Sequence, residues 1–547
     1  VPLFLAFLIA LSVTTACTPF LVRWAPAIGL NDSPGDRKVH AAPVPRIGGI
    51  AMVSGILIST LLMVHLSAPI IGLLFGGLVL LVFGVWDDRS DLDYRVKFLG
   101  QFIAVGLCMA VGDVRIASIT LDARIQLPAM LSWGLTFAFL VGVTNAVNLS
   151  DGLDGLAGGL ALLCLCAIAA FGAISNNEPV TMIALIEAGA ILGFLRFNTH
   201  PARVFMGDGG SQMLGFSIGV LAILVTQGES NVLSAALPLL LLGLPILDTL
   251  TVMARRTLSG RSPFFGDRNH FHHRLLELGF AHREAVIIIY CLQLALFLLA
   301  YFLRFESDLS IVAAFVAFSV ALLAAFRWAA RKRWHAHASQ NAPGESSFPR
   351  RLRRAGQATA IVRCAGWIMG LGLIVYAAVV IAATTHVGGD ISLLSASMLV
   401  LLFVLSRSAS AGTLTWSERL AAYVSVMLVV YLDQTTLAHA PAFAHLTWVI
   451  IGVTAAAAFA RFVFSETRRF QVTALDLLVA FIALVIPNLP GFVSLPEDLP
   501  AGVVKAVVLL YVVEMIDGIE VRRSLPRAVL AVMLGAIAVR GLPILLP

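Results

Sequence analysis

The chain has 547 residues, of which 59% are hydrophobic and only 12% charged, and its mean hydropathy is +0.93. That excess of apolar residues excludes an ordinary soluble domain and leaves a polytopic membrane protein. The net charge of +6 reads as a topology signal rather than a nucleic-acid footprint.

In chain order, apolar runs of spanning length predict helices near 2–22, 47–65, 68–86, 98–112, 128–147, 156–174, 180–197, 212–227, 233–254, 285–303 and 309–326. The first run is too long for a signal peptide and has no basic leader, so it reads as a span. A basic, polar stretch with Pro, Gly and Ser covers 327–363 and marks a linker. Weaker spans, about seven in number, follow near 364–384, 391–406, 419–432, 446–465, 473–490, 501–516 and 527–545. The expected fold class is all-α, a polytopic membrane helix bundle. Residues 1–326 form a domain of 10–11 spans, 327–363 a basic cytoplasmic linker, and 364–547 an additional C-terminal membrane domain. The cysteines Cys17, Cys108, Cys164, Cys166, Cys291 and Cys364 all fall in or beside apolar runs and read as buried thiols.

With the amino terminus outside, alternate connecting segments hold every Lys and Arg except Arg115, Arg124, Arg304, Lys505 and Arg540, and those segments are assigned to the cytoplasm. The same parity gathers Asn31–Arg46, Asp87–Lys97, Asn148–Gly155, Asn198–Ser211 and Arg255–Glu284 on that face. Each carries polar motifs foreign to a membrane core.

Asn148-Leu-Ser-Asp151-Gly-Leu-Asp154-Gly is a polar island between two apolar runs. If a helix begins there, its two acids share one face and its glycines admit a ligand to the backbone; the plain alternative is a capped turn. Asp87 and Asp88 end an apolar run, where a working pair needs an irregular helix end and the alternative is a solvated terminus. Phe205-Met-Gly-Asp208-Gly-Gly-Ser211 opens a span, so free amides and the helix dipole suit an anion while the acid suits a cation; an N-cap turn competes. His270-Phe-His272-His273 has no second ligand pair for zinc, and Arg268 and Arg274 oppose a dication, so a cationic, donor-rich clamp for phosphate and sugar hydroxyls is preferred. Lys38 lies in a turn-rich, basic segment denser in polar residues than an ordinary positive-inside loop.

Asp-Asp at 87–88, Asn-Leu-Ser-Asp-Gly-Leu-Asp-Gly at 148–155, Phe-Met-Gly-Asp at 205–208 and His-Phe-His-His at 270–273, in that order along the chain, closely resemble the polyprenyl-phosphate N-acetylhexosamine-1-phosphate transferase family over roughly residues 1–326. The Asp-Arg-Asn-His-Phe-His-His form is similar to the branch that uses UDP-N-acetylglucosamine rather than a UDP-muramoyl-pentapeptide. The resemblance implies a catalytic domain that moves N-acetylglucosamine 1-phosphate, or another N-acetylhexosamine phosphate, from a UDP-sugar to polyprenyl (undecaprenyl) phosphate. UMP is released and cell-envelope polysaccharide synthesis begins. It implies Mg2+, with Mn2+ as substitute, and a bacterial inner-membrane location with the site on the cytoplasmic face. Carried over residue by residue, Asp87 and Asp88 serve the lipid phosphate and the metal, with Asp87 the candidate base. Asp208 ligates the metal; Asn148, Asp151 and Asp154 engage the nucleotide; Lys38, His270, His272 and His273 bind phosphates or sugar.

The region after 326 departs from the resemblance and lacks a comparable cluster, so a truncation near His337 is expected to keep activity. The protein partners admitted by this reading are a second copy, giving a homodimer, and an envelope-synthesis partner docking on 364–547. The competing class is a transporter, which places ionisable groups at mid-membrane. Glu187 is the clearest such acid and reads as an interhelical hydrogen-bonder, while Asp248 reads as a helix-end partner for a loop.

Overall fold

The computed structural model describes residues 2–32, 43–121, 123–227, 233–260, 270–332 and 334–336. Beyond these it describes 357–384, 411–436, 441–464, 531–540 and scattered positions in 387–403 and 502–513. The expectations for Lys38 and for Arg268 lie outside the described residues. The chain divides into two compact units, Pro2–Gln340 and Asn341–Val472 with Val479–Pro547. Ten helices among the described residues are long and apolar enough to cross a membrane, all but Ile361–Ala383 in the first unit.

The first unit opens with α1 (Pro2–Ile28), a two-residue pairing of β1 (Asn31–Asp32) with β2 (Val44–Pro45), α2 (Gly48–Met63), α3 (Ala68–Ser90) and α4 (Tyr94–Gly112). A hairpin, β3 (Ser118–Thr120) with β4 (Arg124–Gln126), leads into α5 (Ala129–Leu149), α6 (Leu156–Ile174), α7 (Glu178–Asn198) and α8 (Gly207–Thr226). Then come α9 (Pro238–Leu241), α10 (Gly243–Leu258), the short α11 (Phe271–Glu277), α12 (His282–Phe302) and α13 (Asp308–Arg331). The helices α6, α7 and α8 are buried along nearly their whole length, whereas α13 turns most of its surface outward. α8 packs against α2, α3, α5 and α6, so its first turn sits where four other helices end or begin.

Helix starts follow local chemistry. Asp93 caps α4 by accepting from Arg95 N at 2.8 Å, and Asn177 and Ser307 do the same for α7 and α13. Small residues set the spacing of α3. A Cβ on Gly84 would collide with the backbone of Gly209, so this glycine lets α3 and α8 touch main chain to main chain.

Two expectations change. The run near 233–254 is not one span: Pro238 starts α9, and the run breaks at Leu242 into α9 and α10 because Pro245 has no amide hydrogen for Leu241 O and side chains supply the lost bonds. Gln293 of α12 accepts from Leu244 N at 3.2 Å and donates to Leu241 O at 2.8 Å, and Cys164 Sγ donates to the same carbonyl at 3.0 Å. The cysteines also differ: Cys108 and Cys164 are buried, but Cys291 and Cys364 lie exposed on their helices, where apolar surroundings suit a thiol as well as a core does. Glu187 is buried and accepts from Ser217 Oγ across α7 and α8, which is the interhelical bond expected of it.

In the second unit, Gln357–Ala383 packs on Pro441–Phe464 and Ala411–Thr436, with Met369 and Val512 in a small apolar cluster. Of the spans expected there, 473–490 lies outside the described residues. A buried ion pair joins Lys505 to Asp433 at 2.6 Å, with Tyr376 Oη donating to the same carboxylate oxygen at 2.9 Å. Sequence reading set Lys505 apart from the cytoplasmic charges and did not pair it with Asp433.

Candidate functional site

The alternation of helix directions brings the ends of α3, α5 and α7 and the starts of α2, α4, α6, α8 and α12 to one end of the first unit. All the described candidate residues are there. Backbone bonds stitch this end: Phe205 N donates to Pro45 O at 2.8 Å, and Gly48 N and Gly49 N donate to Phe205 O and Met206 O at 3.0 and 2.9 Å. They fix the start of α2 beside the start of α8 and place Arg46 between them.

Asp87 and Asp88 separate as neighbours on a helix must. Asp87 accepts from Leu92 N at 2.7 Å and forms an ion pair with Lys97 of α4. Lys97 Nζ also donates to Asp208 Oδ2 at 3.2 Å, so one ammonium is shared by carboxylates from α3 and α8. Asn148 completes this corner by donating to Asp208 Oδ1 at 3.1 Å and to Ser211 Oγ at 2.8 Å. Asp88 turns the other way and accepts from Asp208 N at 3.1 Å, with Arg46 Nη1 at 3.6 Å. The amides at the start of α8, expected to be free for an anion, are therefore held by the Asp88 carboxyl. This approach requires Gly207, whose φ is +75° and where any Cβ would strike the Asp88 carboxylate.

Asp151 and Asp154 lie in turns rather than in a first helical turn, since α6 starts at Leu156, and they do not share a face. Asp151 stands within electrostatic reach of Asp208, Asp88 and Asp154. Close packing of protein around its carboxyl, and then these like charges, raise its pKa. Asp154 faces His200, whose Nδ1 is 2.7 Å from Asp154 Oδ2, and accepts from Ala202 N at 3.1 Å.

The His cluster packs against the same turn. His270 Nδ1 is 2.9 Å from Asp248 Oδ2 and Phe271 N donates to Asp248 Oδ1 at 2.9 Å, so Asp248 partners the neighbouring loop as expected, but from within α10 rather than from a helix end. His272 stacks on His270 at 5.7 Å between centroids and presses on Gly152, where only a glycine leaves room. His273 lies at 4.2 Å from the His272 ring. Burial, and then its three His neighbours, hold the His272 pKa down to about 3, so it is a neutral hydrogen-bonder at pH 7 and not part of a cationic clamp. Its Nε2 is buried without a partner.

Sequence reading missed Lys97, Arg46, His200 and His282. A lone Lys one turn into an apolar run, opposite an acid at the end of the run before it, was the available signal for Lys97. Nothing in spacing ties His200 or His282 to Asp154.

The sequence matches the family model for glycosyl transferase family 4 over residues 70–226. It is 36% identical over 292 residues to a probable undecaprenyl-phosphate N-acetylglucosaminyl 1-phosphate transferase of Bacillus subtilis, covering 52% of this chain and 80% of that protein. It is 36% identical over 309 residues to a decaprenyl-phosphate N-acetylglucosaminephosphotransferase of Mycolicibacterium smegmatis, covering 50% and 76%. It is 31% identical over 284 residues to the undecaprenyl-phosphate alpha-N-acetylglucosaminyl 1-phosphate transferase of Escherichia coli K12, covering 50% and 77%.

Proposed function

The chain belongs to glycosyl transferase family 4, and from that membership we propose that it transfers N-acetylglucosamine 1-phosphate from UDP-N-acetylglucosamine to undecaprenyl phosphate at the cytoplasmic face of the inner membrane. The observation that carries this reading is the sharing of the Lys97 ammonium by Asp87 and Asp208, beside Asn148, at a membrane-edge end of the bundle. Joining two anions needs cations and fixed donors at one point, and needs them where a lipid phosphate can arrive.

In this reaction an oxygen of the lipid phosphate forms a bond to the β-phosphorus of the donor. The bond from that phosphorus to the bridging oxygen breaks, and UMP leaves. Asp87, held at the end of α3, accepts the proton of a monoprotonated lipid phosphate and leaves it a dianion. Lys97 offsets the charge that gathers as the two phosphates meet. Asn148, Asp151 and Asp154 orient the nucleotide, and the unpartnered Nε2 of neutral His272 bonds the sugar or a phosphate oxygen.

The donor set also fits Mg2+. Asp87 and Asp208 are within hydrogen-bond reach of each other and both are oxygen donors around one cationic position, which is what a hard divalent ion requires. Asp208 and Asp87 would hold it, with Asp88 bracing Asp208 through the backbone. When bound, the ion supplies charge neutralisation at the phosphates.

The product would start cell-envelope polysaccharide synthesis, and residues 364–547 would serve as a docking module for a partner in that process. The test is transfer of radiolabelled sugar phosphate from UDP-N-acetylglucosamine to polyprenyl phosphate in detergent, with UMP counted as co-product. Equal label and UMP support the reaction; labelled lipid without UMP rules it out.

A further inference from the structure

Apart from the carboxylates around Lys97, three side chains from three separate segments converge on one point. They are Asp154 from the turn after α5, His200 from the loop after α7, and His282 from the first turn of α12. His282 Nε2 lies 3.4 Å from the main-chain oxygen of Asp154, and the His200 and His282 rings stack at 4.2 Å between centroids. One ligand atom from each residue lies within 4.8 Å of the other two, and among the described residues no other three His, Cys, Asp or Glu do this.

We propose that Asp154, His200 and His282 form a binding site for a late first-row divalent cation, with zinc as its representative, separate from the carboxylates Asp87 and Asp208. The donor chemistry sorts the two places. Two imidazole nitrogens and one carboxylate oxygen suit zinc, whereas magnesium prefers oxygen donors and keeps its waters. A tetrahedral ion with bonds near 2.0 Å sets its donors about 3.3 Å apart. The three donors lie within 4.8 Å of one another, and His200, whose side chain is 36% exposed, would turn out of its stack on His282 to meet that spacing. Ala202 N already donates to the Asp154 carboxylate, which fixes that ligand's orientation. Three ligands leave a fourth position for water.

The same ion would tie together the turn after α5, the loop after α7 and the start of α12. It would also withdraw Asp154 from a nucleotide. That last consequence rests on the proposed function; metal binding itself does not.

The experiment uses the full chain, freed of any affinity tag and of carried-over metal, and titrated with zinc in excess magnesium. Bound zinc is counted by elemental analysis after desalting, and cobalt serves as a visible-absorption probe of coordination. One zinc per chain and a tetrahedral cobalt spectrum are expected. His200→Gln and His282→Gln should each weaken zinc binding by about tenfold or more, and His272→Gln should leave it unchanged. Thermal melts without zinc identify the folded variants, and His200→Asn or His282→Asn replaces either one that does not fold. The proposal falls if the wild type binds no zinc at micromolar free concentration. It falls equally if both folded variants bind as the wild type does, or if His272→Gln alone removes the metal.

Discussion

The two ends of the first unit are both polar and both cross-linked, but they are wired differently. At the end away from the site, two strong acceptors, Asp308 and Gln227, are fully supplied. Asp308 accepts from Thr120 N at 2.6 Å, from Ala236 N at 2.9 Å and from Ser234 Oγ. Gln227 Oε1 accepts from Ala117 N and Ser118 N, both at 3.0 Å, and Arg124 donates to Thr226 O at 2.9 Å and Ser118 Oγ at 2.7 Å. At the site end, Asp87 and Asp208 share one ammonium, Asp151 sits among like charges, and His272 keeps an unmet nitrogen. At the far end the carboxylate and the amide oxygen are each met by several donors, whereas at the site end two carboxylates crowd one ammonium. Saturated polar groups stabilise a fold, while unsaturated ones destabilise it and are retained where a ligand completes them.

The sharpest way to break this contrast is to change one group at each end. Asp208→Asn removes a charge with little change of volume and should lower turnover about 10²–10³-fold while the thermal melt moves little. A well-folded Asp208→Asn with near wild-type rate would detach Asp208 from the chemistry. Asp308→Ala should do the reverse, since it leaves three donors without an acceptor. A stability loss of about 3 kcal/mol is expected, seen as a lower melting temperature in detergent with kcat per folded molecule unchanged. Loss of kcat there without loss of stability would erase the distinction between the ends.

His272 gives a finer test through pH. Its folded pKa of about 3 lies below its ordinary value of 6.5, so the unfolded chain binds the extra proton first. Its share of stability is therefore complete above 6.5 and is lost as the pH falls toward 3. His272→Gln should make the acid side of the stability curve shallower, by at most about 1.4 kcal/mol per pH unit. The same variant should raise the donor KM severalfold. An unaltered acid limb would mean that His272 is not buried neutral. The smallest effect belongs to truncation near His337. Both polar ends are built within 2–336, so the shortened chain should transfer sugar phosphate at a rate within about twofold of the full chain, and a monodisperse but inactive truncation would place part of the working core in 364–547.

Much of this was legible from residues alone. Membrane spans announce themselves because a lipid-embedded helix must be apolar over its whole length, and ten of the eleven runs expected before 327 are single helices. The exception, at Leu242, had a local signal in Pro245, but the residues that mend the break, Gln293 and Cys164, come from other helices and gave none. The site motifs were visible as polar islands, but the direction of each side chain was not. Whether Asp88 faces a ligand or the start of α8 depends on the packing of Gly84 against Gly209, a tertiary contact with no local signature. Lys97 was passed over as a topology charge because its two partners are 10 and 111 residues away in sequence. The charge state of His272 follows from burial, which a run of histidines in a polar loop does not announce.

The mended break in α9 and α10 reaches further than the local bonds it restores. α10 carries Asp248, which holds His270, on which His272 stacks; the aim of the whole histidine arm thus passes through a joint clasped by the amide of Gln293. Such a joint makes the bearing of the arm depend on one side chain contributed by another helix, far in sequence from the histidines it aims.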